Sequence, residues 1–542
     1  MNWKYLSQTV PQNREQLKQL LLENRGISDD DSFINSPHPR DLSLSAVNID
    51  SQQMKQAAAR IKRAQKQQEK VVIFGDYDAD GITAASLLWL VFKRLGLPAQ
   101  PFIPDRERHG YGISVAALKE IKQKYDPDLI VTVDNGIVAD EALHWAKQNQ
   151  VEVIVTDHHQ PAGELPPAAA VVHSTSICGA AVAWFLAKEL DEQAALDQLD
   201  LAGIATITDQ MSLRGANRSF AKFGIEALQT TQRPGLKALY QTLDIDPDQI
   251  SSYTIGFVIG PRINAVGRLE HGLTAVRLLC TQQMGAASKI ARKLDKVTRS
   301  RLKLTDEQYQ KALNSVLPKP ASKLLFVASD SFHEGIIGLI AGKLTEKFHR
   351  PAVVVAAGGD LGKGSARSVA GIDITKLIRQ AEDLLVDAGG HELAAGFSVK
   401  RENLADLQQK LISLAEEQID PDLLARKLTI DLPLNPELVD LDTARFLQLF
   451  QPFGVDNYPP VFALEDLEVV DAFKMGREKR HLRLMLKFQN GSRMIKAVGW
   501  NIGFWAEKLQ KGQPLAVAAN LEANHWRGKT NLQLKIKDIK TG

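Results

Sequence analysis

Three short apolar runs in the first third of the chain constrain its fold more than any other feature. They cover Val71 to Gly75, Leu129 to Val133 and Val151 to Thr156, they are rich in Val and Ile, and helical patterns connect them. Continuous apolar runs joined by helices are typical of parallel strands that are buried on both faces. The sequence therefore predicts an α/β fold built on a parallel sheet.

Each of these runs ends in acidic residues. In chain order, the residues at the three ends are Asp76, Asp78, Asp80, Asp134, Asp157, His158 and His159. Ligands of open parallel sheets bind outside the carboxyl ends of the strands, so we expect these side chains to meet. An exposed turn that caps a helix would explain the first segment alone. Three acidic ends at one edge predict a site.

Closely spaced carboxylates repel one another unless cations lie between them. Oxygen ligands joined by one or two imidazoles suit hard divalent cations, and the histidines favour Mn²⁺ over Mg²⁺. Two such ions about 3.5 to 4 Å apart activate a water molecule and stabilise the leaving oxygen of a phosphodiester. The strand ends therefore predict metal-assisted phosphoryl hydrolysis with two divalent cations, with Mn²⁺ favoured and Mg²⁺ possible.

The pattern changes twice more along the chain. Residues from about Ala286 to Val316 contain no Gly or Pro and many basic side chains, which predicts a long, exposed connecting helix. Strand signals at Leu324 to Ala328 and Ala352 to Ala356 open a second α/β unit. Short alternating runs over residues 461–542 then predict a small β-barrel.

Composition limits the class of protein. A chain of 542 residues with 44% hydrophobic and 24% charged residues has the length for three or four packed domains, and it is not a disordered or fibrous protein. The start lacks an apolar leader, and no stretch approaches the roughly 20 apolar residues of a membrane helix. Cys178 and Cys280 are too few for a disulfide framework. We therefore expect a cytoplasmic protein without a membrane span.

The net charge of +2 hides a basic C-terminal segment. Residues 471–542 contain 15 Lys and Arg against five Asp and Glu, together with Trp500, Trp505 and Trp526. Basic surfaces with interleaved aromatic rings bind single-stranded nucleic acid. A solvated basic face over a Trp-containing core explains the composition equally well, and the sequence leaves both interpretations open.

Several motifs carry a family resemblance. Asp157-His158-His159 resembles the signature of the DHH phosphoesterases, and Asp76 to Gly81 resembles their first motif in the form found in the RecJ family of single-strand-specific exonucleases. Further segments match that family in order, namely Asp105-Arg106, Gly260 to Arg268, His333-Glu334-Gly335, Ser365 to Ser368 and Gly389-Gly390-His391. The resemblance covers residues from about 70 to 400. One element departs from it, because Pro452 to Pro460 replaces the usual Gly-Asn-Pro, which leaves the contacts of that turn in doubt.

The resemblance implies a parallel-sheet DHH domain and a smaller α/β DHHA1 domain joined by a long helix, plus a C-terminal OB-fold β-barrel. On this basis we expect an N-terminal segment over 1–50, the DHH domain over 51–275, the connecting helix over 276–320, the DHHA1 domain over 321–425 and the OB-fold over 426–542.

The resemblance also implies residue roles at the strand ends. The expected ligands of the two metals are Asp78, Asp80, Asp134, His158 and Asp209, with Asp134 bridging. Without the family, Asp209 would pass for an ordinary helix or loop acid. Catalytic roles are expected of Asp76, within reach of one metal, of Asp157, which would orient a histidine, and of His159, which would position or protonate the scissile phosphate.

Substrate contacts are expected in glycine-rich segments. Arginine offers phosphates a planar, permanently charged fork. By family position, the 5′ phosphate and its neighbours would meet Arg106, Arg262, Asn264, Arg268, Ser365, Arg367 and His391. For any one of the arginines, a structural ion pair explains the residue equally well, and His391 alone would also suit a helix C-cap.

The function implied by the resemblance is 5′ to 3′ hydrolysis of single-stranded DNA to 5′ mononucleotides, in DNA repair and recombination. A single-strand-binding protein and a helicase are the implied partners, and the enzyme is expected to be a monomer. One alternative is a phosphoesterase for short oligonucleotides or cyclic dinucleotides, which the extra barrel disfavours. A second is a catalytically silent single-strand-binding scaffold, which the intact acidic motifs disfavour.

Overall fold

The N-terminal segment of the chain packs on the C-terminal barrel. The computed structural model describes residues 1–28, 30–110, 112–269, 272–317, 322–489, 491, 493–526 and 528–541, without the side chains of residues 30, 106, 107, 266–269 and 526. The first elements are β1 (Asn2–Tyr5), α1 (Arg14–Asn24) and α2 (Asp30–Ile34). Leu17 and Leu21 of α1 are fully buried in the hydrophobic core of the barrel.

A five-stranded parallel sheet forms the core of the next unit. Its elements are α3 (Ser51–Gln67), β2 (Val71–Gly75), α4 (Ala79–Arg94), β3 (Ala99–Phe102), α5 (Arg106–His109), α6 (Val115–Tyr125), β4 (Leu129–Val133), α7 (Asp140–Gln148), β5 (Glu152–Asp157), β6 (Ala170–His173) and α8 (Gly179–Leu190). The spatial order is β3-β2-β4-β5-β6, and every pairing is parallel. The three apolar runs are the adjacent strands β2, β4 and β5, so the predicted parallel sheet is confirmed.

Helices follow this sheet up to the middle of the chain. They are α9 (Glu192–Leu196), α10 (Leu199–Thr208), α11 (Gly215–Thr230), α12 (Pro234–Leu243), α13 (Gly260–Leu269), α14 (Leu273–Cys280) and α15 (Met284–Val316). A π-helical turn, Thr254–Ile259, leads directly into α13. The predicted connecting helix is α15, with 33 residues. One face of α15 is buried rather than exposed, because it packs on α12, α13 and α14.

The second α/β unit contains a mixed sheet. Its elements are β7 (Leu325–Ser329), α16 (Ile337–Phe348), β8 (Ala352–Ala356), β9 (Leu361–Arg367), α17 (Ile374–Arg379), β10 (Leu385–His391), β11 (Ala394–Lys400) and α18 (Leu404–Gln418). The order is β10-β11-β9-β8-β7, and only β7 and β8 run parallel.

The C-terminal unit is a closed barrel. Its elements are β12 (Lys427–Ile430), β13 (Leu432–Pro433), α19 (Leu441–Phe446), β14 (Phe462–Met475), β15 (His481–Phe488), β16 (Met494–Gly499), β17 (Pro514–Trp526) and β18 (Lys529–Thr541). The strands follow the order β14-β15-β16-β18-β17, and pairing of β17 with β14 closes the barrel. Strand β1 pairs in parallel with β12, which joins the N-terminal segment to the start of the C-terminal unit. The predicted fold class is confirmed. None of the helices described above has the length and apolar character needed to cross a membrane.

Candidate active site

The side chains at the ends of β2, β4 and β5 meet at the carboxyl edge of the parallel sheet, and Asp209 at the end of α10 joins them. Three overlapping sets of ligand atoms each lie within 4.8 Å of one another. The sets are Asp76 with Asp78 and Asp134, Asp80 with His158 and Asp209, and Asp134 with His158 and His159. Because Asp134 and His158 each belong to two sets, they link the whole cluster.

Asp134 lies at the centre of this cluster. Its Oδ1 is 3.1 Å from Nε2 of His158, and the same nitrogen is 3.7 Å from Oδ2 of both Asp80 and Asp209. The backbone of Asp134 has φ +61°, a left-handed conformation that non-glycine residues rarely adopt and that recurs at functional sites. The chain therefore bends sharply after β4 and holds a buried carboxylate that two of the three ligand sets share.

Backbone donors of two helices fix the carboxylates that follow β2. Asp80 accepts the N–H groups of Gly179 at 2.6 Å and Ala180 at 2.7 Å, at the start of α8. Asp78 caps α4 by accepting the N–H of Gly81 at 3.1 Å. Unpaired N–H groups at helix starts favour negative charge. Both helices therefore point their positive ends at the cluster.

Two glycines make this close packing possible. A Cβ on Gly81 would lie 2.4 Å from the backbone nitrogen of Asp76, and a Cβ on Gly179 would lie 2.6 Å from Cβ of Asp134. Real Cβ atoms do not approach other atoms so closely, so both positions require glycine. Our sequence analysis missed Gly179, because nothing in the sequence indicates that α8 begins against Asp134.

The donor set fits divalent cations. Burial first, and then repulsion by neighbouring carboxylates, raises the pKa of Asp76, Asp80, Asp134 and Asp209. Within the described part of the chain, the buried Oδ1 atoms of Asp76 and Asp134 have no hydrogen-bond partner. A cation would bind these oxygens, and its positive charge would offset the repulsion between the carboxylates. Asp80, Asp134, His158 and Asp209, with Asp76 and Asp78, could therefore hold two divalent ions.

The two histidines have opposite electrostatic environments. Burial and the neighbouring His159 lower the pKa of His158 to about 4, so its imidazole is neutral and suited to binding a metal. Burial acts to lower the pKa of His159 as well, but a 2.8 Å hydrogen bond to Oδ1 of Asp157 and the charge of Asp157 raise it to about 9. His159 is therefore an imidazolium at neutral pH.

Asp157 organises the loop after β5. Its Oδ1 accepts the N–H of His158 at 2.7 Å and that of His159 at 3.2 Å, and its Oδ2 accepts the N–H of Ile137 at 2.9 Å. Burial acts to raise the pKa of Asp157, but these bonds and His159 lower it overall. The histidine that Asp157 orients through its ring is His159.

Two residues of α13 that were predicted to contact phosphates, Arg262 and Asn264, have hydrogen-bond partners within the protein. Arg262 donates to the carbonyl of Val258 at 3.0 Å and to Oδ1 of Asp295 at 3.2 Å. Its Nε is buried and has no hydrogen-bond partner among the described residues. Oδ1 of Asn264 accepts the N–H of Ala79 at 2.6 Å, which fixes the turn that carries Asp78 and Asp80.

The other predicted contacts lie on the second sheet or outside the described side chains. Arg367 on β9 donates to Oγ of Ser365 at 3.3 Å, and a Cβ on Gly338 in α16 would lie 3.1 Å from that hydroxyl. The first turn of α16 therefore faces Ser365 and Arg367, a feature that our sequence analysis missed. His391 is exposed at the end of β10. The side chains of Arg106 and Arg268 lie outside the described residues.

Three family models match consecutive parts of the chain. They are the N-terminal domain of the DHH family over residues 70–207, the DHHA1 domain over 321–417 and the RecJ OB domain over 430–538. The solved structure of Thermus thermophilus RecJ in complex with Mn²⁺ is similar over 100% of this chain and 80% of that chain, with a TM-score of 0.84 and 28% identity.

Curated relatives match over most of the sequence. The single-stranded-DNA-specific exonuclease RecJ of Bacillus subtilis is 34% identical over 497 residues, which are 90% of this chain and 63% of that protein, so the chain spans less than two thirds of its length. The protein of the same name from Salmonella typhimurium is 30% identical over 510 residues, or 87% of each chain. With the acidic cluster at the sheet edge and the same three domains in the same order, the chain belongs to the RecJ family of DHH phosphoesterases.

Proposed function

We propose that this chain is a single-stranded-DNA-specific exonuclease that hydrolyses phosphodiester bonds with two divalent metal ions and releases 5′ mononucleotides in the 5′ to 3′ direction. The observation that carries the proposal is the position of Asp134, whose carboxylate belongs to the set with Asp76 and Asp78 and lies 3.1 Å from His158, which also belongs to the set with Asp80 and Asp209. A shared carboxylate would hold two cations close together, and two-metal hydrolysis of a phosphodiester uses two closely spaced ions. The names of the relatives support an exonuclease that acts on single-stranded DNA.

The ligands of the two ions would be Asp78, Asp80, Asp134, His158 and Asp209, with Asp76 within reach of the set that contains Asp78. The ions, when bound, would lower the pKa of an attacking water and neutralise charge on the phosphate. Neighbouring structures of Thermus thermophilus RecJ contain Mn²⁺ and Mg²⁺. The neutral imidazole of His158 supports Mn²⁺ as the favoured ion and Mg²⁺ as a possible one.

His159 is the proposed acidic group of the site. Asp157 holds its ring by one nitrogen and keeps the imidazolium charged at neutral pH. A ring nitrogen of His159 lies within 4.8 Å of the ligand atoms of Asp134 and His158. An imidazolium at this position would attract the scissile phosphate and donate a proton or a hydrogen bond to it.

The 5′ phosphate is proposed to bind between the two α/β units. Ser365 and Arg367 lie beside the first turn of α16, whose N–H groups favour an anion. The remaining donors proposed for the 5′ phosphate and its neighbours are Arg106, Arg262, Asn264, Arg268 and His391.

The barrel is proposed to hold the single strand. Phe473, Trp500 and Phe504 expose 42%, 50% and 50% of their surfaces. Arg483 lies 5.1 Å from the ring of Phe473, and Lys508 lies 5.2 Å from that of Phe504. Exposed rings beside cations support the nucleic-acid interpretation of the basic C-terminal segment over a purely structural one. Among the tryptophans of this segment, Trp505 has a structural role, since it packs against the hydrophobic core of the barrel.

The cellular setting is also part of the proposal. We infer a role in DNA repair and recombination, in the cytoplasm, with a single-strand-binding protein and a helicase as partners and with a monomeric enzyme. Both cysteines are buried and unpaired, which suits a reducing compartment.

The decisive experiment uses purified protein and a long single strand labelled at its 3′ end, with matched duplex and RNA, in Mn²⁺, Mg²⁺ or chelator. We expect the labelled strand to shorten progressively from its 5′ end, the products to be 5′ mononucleotides, and chelator to stop the reaction. Hydrolysis of dinucleotides without digestion of the long strand would instead assign a small-substrate phosphoesterase. Binding without hydrolysis in either metal would assign a scaffold.

A further inference from the structure

A buried histidine closes the short helix that begins with Arg106. Helix α5 has four residues, of which Arg106 is the first and His109 the last. The N–H of His109 donates to the carbonyl of Asp105 at 2.8 Å, and Nδ1 of its ring accepts the N–H of Asp105 at 2.9 Å. Both backbone polar groups of Asp105 are therefore bonded to His109, and Arg106 lies inside the turn that these two bonds close.

The ring of His109 is held by the body of the domain. Its side chain is 5% exposed, and the ring lies 5.8 Å from the ring of Phe102 at the end of β3. Its Nε2 lies 3.0 Å from Oε2 of Glu120 in α6. Since Nδ1 accepts a backbone N–H, the proton of the neutral ring is on Nε2, where Glu120 accepts it. The ring therefore links the start of α5 to both β3 and α6.

Packing alone does not account for a histidine at this position. Burial of an imidazole costs free energy unless its ring nitrogens are hydrogen-bonded, whereas an apolar side chain could pack against Phe102 without that requirement. The carboxylate of Glu120 also forms an ion pair with Arg108, so it holds two residues of α5. The contacts of His109 are thus specific in direction, as expected of a residue that orients its neighbours.

The chain around α5 has few other means of holding its shape. Among the described residues of 103–114, α5 is the only regular element. Gly110 and Gly112, which follow it, have φ +77° and +68°, conformations that glycine adopts easily. A single helical turn has little stability of its own. The direction in which Arg106 leaves the turn therefore depends on the bonds that His109 makes.

The turn lies at the same edge of the sheet as the acidic cluster. Phe102 of β3 is in register with Phe74 of β2, and their rings are stacked 5.5 Å apart. A Cβ on Gly75 would lie 2.9 Å from Cδ1 of Ile103, so the two chains leave the sheet side by side. The chain after Gly75 carries the proposed metal ligands, and the chain after Ile103 carries Arg106. A phosphate could therefore lie between the two segments.

We propose that His109 is a positioning residue that fixes Arg106 for contact with the 5′ phosphate and so sets the preference of the enzyme for a 5′ phosphate over a 5′ hydroxyl. This role rests on the proposed exonuclease function and on Arg106 as one of its phosphate donors. A guanidinium gives a phosphate two parallel hydrogen bonds only in the correct orientation. A closed turn restricts the positions that the side chain can take and reduces the entropy lost on binding.

The first test compares two single strands labelled at the 3′ end that differ only in a 5′ phosphate or a 5′ hydroxyl. In Mn²⁺, kcat/KM is measured on each strand, and the ratio of the two values gives the preference. We expect His109→Ala to lower this ratio about tenfold, since a hydrogen bond to a charged group contributes about this much. The value on the phosphorylated strand should fall, and the value on the hydroxyl strand should change little.

A double-mutant cycle separates positioning from a general loss of structure. Arg106→Ala alone should lower the ratio, and the addition of His109→Ala should lower it no further, because the two residues act in series. A merely structural role would instead lower activity on both strands in both backgrounds. His144→Ala is the matched control, since His144 is an exposed histidine on α7 of the same domain, and it should keep the wild-type ratio.

Two conservative variants test the bonds of the ring separately. His109→Asn places an amide oxygen near the position of Nδ1 and can still accept the N–H of Asp105. His109→Gln places an amide nitrogen near Nε2 and can still donate to Glu120, but it cannot accept from Asp105. We expect the Asn variant to keep most of the preference and the Gln variant to lose it. Both retain a polar side chain, so this comparison applies even if His109→Ala does not fold, as its melting temperature in chelator will show.

The outcomes separate this role from the proposed function. Wild-type ratios in both His109→Ala and His109→Gln would overturn the role of His109, as would equal decreases caused by His109→Ala with and without Arg106. If wild type digests both strands equally well, no preference for a 5′ phosphate exists, and the role of His109 is wrong while the exonuclease function stands. If wild type digests neither strand, the proposed function fails and the role of His109 fails with it.

Discussion

Substitution of Gly179 by alanine tests whether the acidic cluster depends on close packing between α8 and Asp134. The added Cβ would lie 2.6 Å from Cβ of Asp134 and 2.8 Å from both its Cα and its Oδ1. The Cα of Asp134 is a backbone atom and its Cβ is attached directly to the backbone. Rotation of the side chain therefore cannot move either atom away from the added Cβ. Carbon atoms prefer separations of about 3.5 to 4.0 Å, so Asp134 or α8 must move by about 1 Å.

That shift has two expected effects. Overpacking a buried position lowers the free energy of unfolding by about 1 to 3 kcal/mol. It also separates the ligands, because the N–H of Gly179 holds Asp80 while the same glycine packs directly against Asp134. A misplacement of about 1 Å at a reacting centre lowers turnover by about 100-fold. We therefore expect an enzyme that still folds but whose kcat is about 100-fold lower than that of wild type.

The assay measures kcat on a long single strand in Mn²⁺ and the melting temperature in chelator and in Mn²⁺. Gly342→Ala is the matched control, since Gly342 lies inside α16 and a Cβ there meets no atom within 4 Å. This control should keep full activity and gain about 0.5 to 1 kcal/mol of stability. If Gly179→Ala has wild-type kcat and a wild-type response to Mn²⁺, the ligands do not depend on this contact and our account of the site is wrong.

Four further outcomes follow from the geometry. Asp134→Ala should abolish cleavage but retain binding of single-stranded DNA, since two of the three ligand sets contain Asp134; residual cleavage would remove it from the site. Mn²⁺ at about 100 times its dissociation constant should stabilise wild type by about 2.7 kcal/mol in thermal unfolding, and Asp134→Ala should lose this response. In chelator, Asp157→Asn should lower the pKa of His159 from about 9 toward its ordinary value of about 6.5, and an unchanged NMR titration would contradict the assigned cause. Arg218→Met should destabilise the protein by about 3 kcal/mol in denaturant unfolding, because the buried guanidinium donates to the carbonyls of Phe33 at 2.7 Å and Gln451 at 2.6 Å; a loss below about 1 kcal/mol would refute that role.

The parallel sheet and most of the acidic cluster could be predicted because their signals are local. Apolar runs of five or six residues identify buried strands, and the topology of a parallel sheet brings the strand ends together whatever the intervening loops do. Asp76, Asp134 and Asp157 are each found directly at such an end. Asp209 has no such signal, because it follows a helix, and only packing of α10 against α4 and α8 brings it to the site.

Long-range contacts account for what the sequence could not indicate. Strand β1 pairs with β12 across more than 400 residues, and no local pattern in either segment specifies the partner. Arg262 illustrates the same limit for side chains, since its motif does not indicate the ion pair of 3.2 Å with Asp295 on α15. Periodicity identifies elements, but which charged groups meet depends on how the elements pack.

The loop that departs from the family pattern joins the barrel to the active-site helices. Its turn is closed by mutual backbone hydrogen bonds between Gly454 and Asn457, and the side chain of Asn457 donates to the carbonyls of Phe450 at 2.7 Å and Pro452 at 2.9 Å. The same loop accepts the N–H of Leu213 and the hydroxyl of Ser252. Leu213 lies four residues after Asp209, and Ser252 lies at the start of the helical segment that continues into α13. Because one loop is bonded to both segments, we expect a change in the turn to shift the segment after Asp209 and the start of the helix before α13 together.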